Sequence, residues 1–250
     1  MKMQHRLLFI ISMIIVMLLP LTSLAQTESN ETTTDTLVYK QKYGLRLGGD
    51  IGKLVRAAID DDYSGFEING DYRLTKKLYI AGELGTEERR ITNDFLDVTA
   101  KGSYFKAGVD YNTYKNWLDM QNMIYTGFRV GVSSFSQTQN SITIFNTDQY
   151  WEAPFTDNTE REFNGLTAIW AELIIGLKAE LFTNFYAGLN VQLKGMLSED
   201  QPSGFENLYV PGFNRTYDSG RFGIGFGYTV SYMIPIYKKD KKVVVEKEDN

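Results

Sequence analysis

The stretch GRFGIGFGYTVSYMIPIY, residues 220–237, alternates apolar side chains with small or weakly polar ones along its length. Successive side chains of a β-strand leave on opposite faces, so one face of this strand is predicted to be apolar throughout. A membrane barrel turns such a face to lipid and encloses a polar lumen. A soluble meander or lipocalin-like barrel shares the alternation but turns the apolar face inward. The stretch favours a transmembrane β-strand and leaves the soluble barrel as the alternative.

Alternating segments of about the length that a tilted strand needs to cross a bilayer recur along the chain. The segment at 169–181 has apolar residues at its odd positions, with Trp170, Glu172, Lys178 and Glu180 at even ones. Every segment obeys this rule of apolar out and polar in, so we predict an all-β, transmembrane, antiparallel up-and-down β-barrel of about eight strands. The predicted strands are residues 43–56, 66–74, 78–87, 104–112, 123–135, 169–181, 185–194 and 220–237.

The connections between the predicted strands alternate in length. Short or medium links follow the second, fourth and sixth strands, and longer segments follow the first, third, fifth and seventh. Outer-membrane barrels have short periplasmic turns and long extracellular loops, so both termini are predicted to lie in the periplasm. The predicted outer loops are residues 60–65, 89–102, 139–164 and 198–219.

Residues 1–25 combine Lys2 and Arg6 with an apolar run and a small-residue end, which is the layout of a cleaved secretory signal. A flexible segment is predicted at 26–42, the barrel at 43–237 and a charged periplasmic tail at 238–250. The tail is expected to be disordered, with a short strand that pairs with a partner as the alternative. The predicted location is the outer membrane of a Gram-negative bacterium.

Composition removes several classes of function. The sequence has no Cys, and its single His, His5, lies within the predicted signal. Removing residues 1–25 takes out two of the 26 basic residues and none of the 31 acidic ones, which leaves a formal charge of −7. Thiolate and imidazole catalysis, common zinc sites and nucleic-acid binding are therefore not expected. We predict no enzymatic activity, no cofactor and no metal, with a hydrolase built on paired carboxylates as a minor alternative.

Charged residues of both signs are predicted to face the lumen. An eight-stranded barrel is only just wide enough for its side chains to fill, so opposite charges are expected to pair. The alternative is an ion path or a proton site. The predicted lumen charge network comprises Arg46, Asp50, Glu67, Asp71, Arg73, Glu83, Lys106, Asp110, Arg129, Glu172, Lys178, Glu180 and Lys194.

Two predicted outer loops are unusually aromatic. Exposed aromatic clusters indicate a partner site, and the alternative is that the loops pack together as a cap over the barrel. The candidate partner-binding residues are Tyr150, Trp151, Phe155, Phe205, Tyr209 and Phe213.

A signal peptide, eight alternating strands and long outer loops together resemble the small outer-membrane barrels of the outer-membrane protein A and X class. The segments YGLRLGGDIGKL (43–54) and GFEINGDYRL (65–74) resemble an uncharacterised barrel family of the Bacteroidota. The resemblance implies a non-enzymatic barrel. We expect it to contact outer-membrane lipid and to serve as a structural, accessory or docking subunit of an envelope complex. Other outer-membrane proteins or surface lipoproteins are the candidate partners, and a narrow pore for ions or small solutes is the alternative function.

Overall fold

The structure is a computed structural model that describes residues 35–114, 121–144, 155–215 and 221–245. Within these residues, Val38–Lys241 form one compact unit, and residues 35–37 and 242–245 belong to a second. The described elements are β1 (Asp35–Asp50), α1 (Ile51–Ile59), β2 (Tyr63–Arg73), β3 (Leu78–Thr92), β4 (Leu96–Asn112), β5 (Met123–Ile144), β6 (Phe155–Asp157), β7 (Arg161–Phe182), β8 (Phe185–Glu199), β9 (Tyr209–Val210), β10 (Asn214–Arg215) and β11 (Phe222–Val245).

Eight of these strands form a closed ring. The order is β1-β2-β3-β4-β5-β7-β8-β11, and β11 neighbours β1 again. The registers along β2 to β5 and from β5 through β7 and β8 to β11 are antiparallel. The short β6 pairs with β5 outside the ring, and β9 and β10 form a separate two-stranded sheet. The predicted all-β, antiparallel up-and-down barrel of eight strands is confirmed.

The alternation of side chains follows the prediction in the central part of each strand. Along β5, residues from Met123 to Phe135 alternate between buried and exposed at every position. On β11, Ile224 and Phe226 are 63% and 64% exposed, because their side chains leave the barrel on its outer face. The barrel therefore has an apolar outer band and a polar interior.

The two ends of the barrel differ. Short connections join β2 to β3 and β7 to β8 at one end, which we call the short-turn end. The β7–β8 turn places Asn184 at φ 66°, a left-handed conformation that Asn tolerates better than most residues. The opposite end, the long-loop end, carries α1 and the connections β3–β4, β5–β7 and β8–β11.

The first predicted strand, residues 43–56, is wrong beyond Asp50. Residues Ile51–Ile59 form a helix, because the Asp50 side chain accepts hydrogen bonds from the backbone N–H groups of Gly52 and Lys53 and so caps it. Within the described residues, no helix is long and apolar enough to cross a membrane.

Most of the ring strands continue beyond their predicted ends. At the long-loop end, β3 and β4 extend to Thr92 and from Leu96, and β5 extends to Ile144. In these extensions the outward positions are polar, as at Glu88 and Lys101, so hydropathy stops alternating while backbone pairing goes on. Strand β11 likewise runs to Val245, past the predicted end at Tyr237.

Candidate functional site

The barrel interior near the short-turn end is held by a buried aspartate that is shared between two cations. Asp71 on β2 lies 2.7 Å from Arg46 on β1 and 2.7 Å from the Lys178 ammonium on β7. Asp71 and Arg46 are both about 5% exposed at the side chain. The pairs therefore join strands across the lumen.

Lys106 on β4 lies at the centre of the interior and is 1% exposed. Its Nζ atom is 2.7 Å from Glu83, 3.6 Å from Glu67 and 3.7 Å from Glu172. These three carboxylates come from three different strands. The Lys106 ammonium group therefore links three acidic side chains that have left water.

Arg129 extends the network on the β5 side. Its guanidinium lies 2.8 Å from Asp110 and 3.7 Å from Glu83. Asp110 is fully buried and also lies 4.0 Å from Lys178. Arg129 thus connects the pairs around Asp71 with those around Lys106.

Helix α1 supplies a cation that the sequence analysis missed. Lys53 lies 3.1 Å from Glu67 and 2.5 Å from Glu87. Tyr104 donates a hydrogen bond of 2.5 Å to Glu67, which completes the group. The available signal was the spacing of Asp50, Lys53 and Arg56, since residues three apart lie on one face of a helix.

Six basic and six acidic side chains share partners in one continuous interior network. Unpaired buried charges are costly, and balanced pairing removes that cost. The interior charges thus form ion pairs, while Asp110, Arg129 and Glu172 each have a buried side-chain atom without a hydrogen-bond partner. The members of the network are Arg46, Lys53, Lys106, Arg129, Lys178, Lys194, Glu67, Asp71, Glu83, Glu87, Asp110 and Glu172.

Three residues that were predicted to belong to the lumen charge network have other roles. Asp50 caps helix α1, as described above. Arg73 donates hydrogen bonds to the carbonyl oxygens of Thr75 and Lys76 at the short-turn end. Glu180 accepts a hydrogen bond of 2.9 Å from the backbone N–H of Asn184 in the adjoining turn. Alternation alone could not separate these residues from the network, because all three also point inward.

The connection between β8 and β11 folds into the mouth of the barrel, and we call residues 209–215 the lid. The Tyr209 hydroxyl and the Gly212 backbone N–H each donate a hydrogen bond of 2.8 Å to Glu87. Lys194 donates one of 2.7 Å to the Gly212 carbonyl oxygen. Gly212 has φ 84°, and a Cβ there would meet the Tyr104 ring at 2.6 Å, so the position requires glycine.

Phe213 anchors the lid in an apolar cluster. Its ring meets the Trp170 ring edge to face at a centroid distance of 6.1 Å. Both residues belong to a buried cluster with Tyr104, Phe135 and other side chains. The docking prediction is wrong for Tyr209 and Phe213, which are 3% and 2% exposed, because the lid buries them over the barrel. Their positions correspond to the alternative arrangement, in which a loop packs over the barrel as a cap.

The other candidate docking residues divide into three cases. Phe205 is half-buried and stacks on Phe163 at 6.1 Å between ring centroids. Phe155 on β6 is 65% exposed. Tyr150 and Trp151 lie outside the described residues.

The extended strands form a sheet that continues past the apolar band, and we call it the outer wall: residues 86–92, 96–103, 134–144, 155–157 and 161–167. At about 3.3 Å per residue, residues 134–144 extend roughly 30 Å along their strand. Arg90 binds Asp97 through two nitrogens, at 3.0 and 2.6 Å. These hydrogen bonds, with one from Asn140, hold the pKa of Asp97 at about 2.

The tip of the outer wall is apolar. Ile144 and Phe155 pair across β5 and β6 and are 56% and 65% exposed. Phe95, which is 55% exposed, lies at the adjoining β3–β4 turn, where its carbonyl oxygen accepts a hydrogen bond from Thr143. Three large, exposed apolar side chains therefore lie at this end of the wall. We call Phe95, Ile144 and Phe155 the tip cluster.

Among the described residues, no group of three or more His, Cys, Asp or Glu side chains is placed to hold a metal ion. The carboxylates of the interior are instead compensated by lysine and arginine.

These features define a class of protein: an eight-stranded antiparallel barrel with an ion-paired interior, an apolar outer band and a lid. The chain belongs to the family described as "Domain of unknown function (DUF6048)", whose model matches residues 6–239. No curated protein matches the chain significantly. Among solved structures, it is similar to Ail, the attachment invasion locus protein of Yersinia pestis, at 11% identity and a TM-score of 0.36, over 81% of this chain and 99% of Ail. A similarity at this level says nothing about function.

Proposed function

We propose that this protein is an integral outer-membrane β-barrel without enzymatic activity that acts as an accessory or docking subunit of a cell-envelope complex. The observation that carries the docking role is the tip cluster, which exposes three large apolar side chains at the end of the outer wall. The candidate partner is another outer-membrane protein or a surface lipoprotein, and the tip cluster is the surface that meets it.

The apolar outer band supports the membrane placement. Leu173, Ile175 and Leu193 are each more than half exposed on its surface, while the opposite faces of the same strands carry buried charge. A soluble barrel would reverse this arrangement. Because the first strand of the barrel begins, and the last one ends, at the short-turn end, the proposal places both ends of the barrel unit in the periplasm.

We expect the protein to fractionate with the outer membrane and to run faster on SDS gels when it is not boiled. A closed barrel has no free edge at which detergent-induced unfolding starts, so it stays compact until heated. The measurement is a pair of gel lanes, boiled and unboiled, of each density-gradient fraction. Equal mobility in both lanes together with recovery in the soluble periplasmic fraction would overturn the membrane placement.

A narrow pore was the alternative function, and the interior geometry weighs against it. Charged side chains fill the lumen from Asp71 to Glu87, and the lid covers the mouth. We therefore expect purified protein in planar bilayers to give no steady conductance. Porins of known conductance in the same bilayers provide the positive control. Stable, reproducible single-channel steps from this protein would restore the pore alternative.

A further inference from the structure

Strand β1 is shorter than β2 at the long-loop end. The β1–β2 register ends with Gly49 opposite Ile68, and the next residue, Asp50, is the last of the strand and the N-cap of helix α1. Residues 63–66 of β2 therefore have no β1 residue beside them.

Strand β1 is also shorter than β11, its neighbour on the other side. A Cβ at Gly48 would collide with the carbonyl oxygen of Val230, which fixes how β1 lies against β11. Asp50 in turn lies beside Tyr228, whose backbone N–H is 3.4 Å from its carboxylate. Residues 222–227 of β11 consequently extend past the end of β1. We call the gap between residues 63–66 and 222–227 the seam.

Helix α1 occupies the seam with its two faces turned in opposite directions. Lys53 points into the barrel, where it binds Glu67 and Glu87. Val55 and Ile59 lie on the opposite face of the helix and are 56% and 78% exposed. A short amphipathic helix therefore replaces a β-strand in this part of the barrel wall.

A cavity of about 240 Å³ lies between α1 and β11. Its lining includes Ile224 and Phe226, whose side chains face out of the barrel, and Lys106 and Lys194, which face in. The cavity is therefore bordered by residues of the outer face of β11 as well as by charged residues of the interior. The seam thus lies where the apolar outer surface and the charged interior come close together.

Basic side chains outnumber acidic ones in the lining of the cavity, although Glu67 and Glu172, outside the lining, pair with three of the basic ones. Four basic side chains, of Lys53, Arg56, Lys106 and Lys194, face two acidic ones, of Asp50 and Glu87.

Arg56 is the most accessible of the four cations. Its side chain is 42% exposed, and its guanidinium packs 3.9 Å from the centre of the Tyr63 ring. Its acidic partner, Asp60, lies 3.4 Å away and also binds Arg89. Arg56 can therefore turn to an anion in the cavity without leaving Asp60 unpaired. A guanidinium group suits phosphate, because it offers several N–H donors in one plane.

We propose that the seam binds an anionic amphiphile. Its phosphate headgroup occupies the cavity beside Arg56 and Lys53, and its acyl chain follows Ile224 and Phe226 along the outer surface. This inference rests on the proposed membrane placement, because the acyl chain needs the outer band to be in lipid. The inference adds a class of ligand to the proposed function. The seam also lies at the long-loop end, but across the barrel from the tip cluster.

The test is binding of lysophosphatidylglycerol to purified protein in a non-ionic detergent, measured by native mass spectrometry. Lysophosphatidylcholine, which has the same chain length but no net charge, and inorganic phosphate are the comparison ligands. We expect the anionic lipid to bind at least about tenfold more tightly than either. Arg56→Gln is expected to reduce that preference at least fivefold, and Arg161→Gln, a change of an exposed arginine on the outer wall, to leave it unchanged.

Equal binding of the two lipids, or equal binding by wild type and Arg56→Gln, would overturn the site. Phosphate binding as tight as lipid binding would also overturn it, because the acyl chain would then contribute nothing. The mobility shift of unboiled protein is recorded for every sample. A normal shift with failed lipid binding rejects the seam site alone, whereas a missing shift rejects the membrane placement.

Discussion

Replacing Lys106 by Met is expected to lower the free energy of unfolding by about 3–5 kcal/mol, which is the usual cost of removing one partner from a buried ion pair. The Lys106 ammonium lies within 4 Å of Glu83, Glu67 and Glu172, and its loss leaves all three without their central cation. Met has nearly the same length, so the effect reports charge rather than volume. Urea unfolding of protein refolded in detergent, followed by tryptophan fluorescence, measures it.

Lys101→Met is the matched control, since it makes the same chemical change on the same strand. The Lys101 side chain is 68% exposed and pairs with Glu88 at 3.1 Å on the surface of the outer wall. Exposed pairs contribute about 0–1 kcal/mol, so this variant is expected to unfold near the wild-type urea concentration. If the two variants unfold alike, the interior charges do not hold the barrel together.

Changing Ile144 and Phe155 together to Ser is expected to weaken capture of the envelope partner at least about 30-fold. Anchors at protein interfaces are worth roughly 2 kcal/mol each, and 1.4 kcal/mol is a factor of ten in affinity. The exposed positions of both side chains predict no loss of barrel stability. Cross-linking in intact cells, followed by purification from solubilised membranes and quantitative mass spectrometry, compares the proteins recovered with each variant.

Phe213→Ala provides the opposite control for docking. Phe213 is buried in the lid, and its truncation is expected to cost about 3–5 kcal/mol of stability. At a temperature where this variant stays folded, the partner should be recovered as with wild type. Loss of capture in Phe213→Ala with full capture by the tip variant would place docking at the lid and contradict the role of the tip cluster.

The central strands could be predicted from sequence because their two faces meet different surroundings. In β5, Phe128 and Val130 face outward and Arg129 faces the charged interior. The alternation of hydropathy along the sequence therefore shows which side chains lie on which face of the strand. The extensions of β3 and β4 gave no such signal, because Glu88 and Lys101 lie on an outer face that is polar. The backbone groups of β3 and β4 remain paired there, although the two faces of these strands do not differ in hydropathy.

The sequence predicts which charged residues face the interior, but it does not predict which of them pair with one another. Arg129 and Asp110 could be assigned to the lumen by alternation, yet their 2.8 Å contact depends on the register between β4 and β5. In the predicted strand 43–56, Lys53 occupies an outward position, and only the helix at Ile51–Ile59 turns it into the barrel. Tyr209 and Phe213 lie outside every alternating segment, so only the path of the lid shows that they are buried.

The sequence separations across the interior bear on how the barrel assembles. Lys178 and Asp71 lie 107 positions apart in the chain, and Tyr209 and Glu87 lie 122 apart. Folding slows as contacts connect more distant parts of a chain, so these bonds form late, when β7, β8 and β11 have reached the first strands. Until then Asp71 and Glu87 lack partners that they have in the finished barrel. The charge pairing is consequently completed as the ring closes. A chain halted before β7 would expose an open sheet edge, with Asp71 paired to Arg46 alone and Glu87 to Lys53 alone.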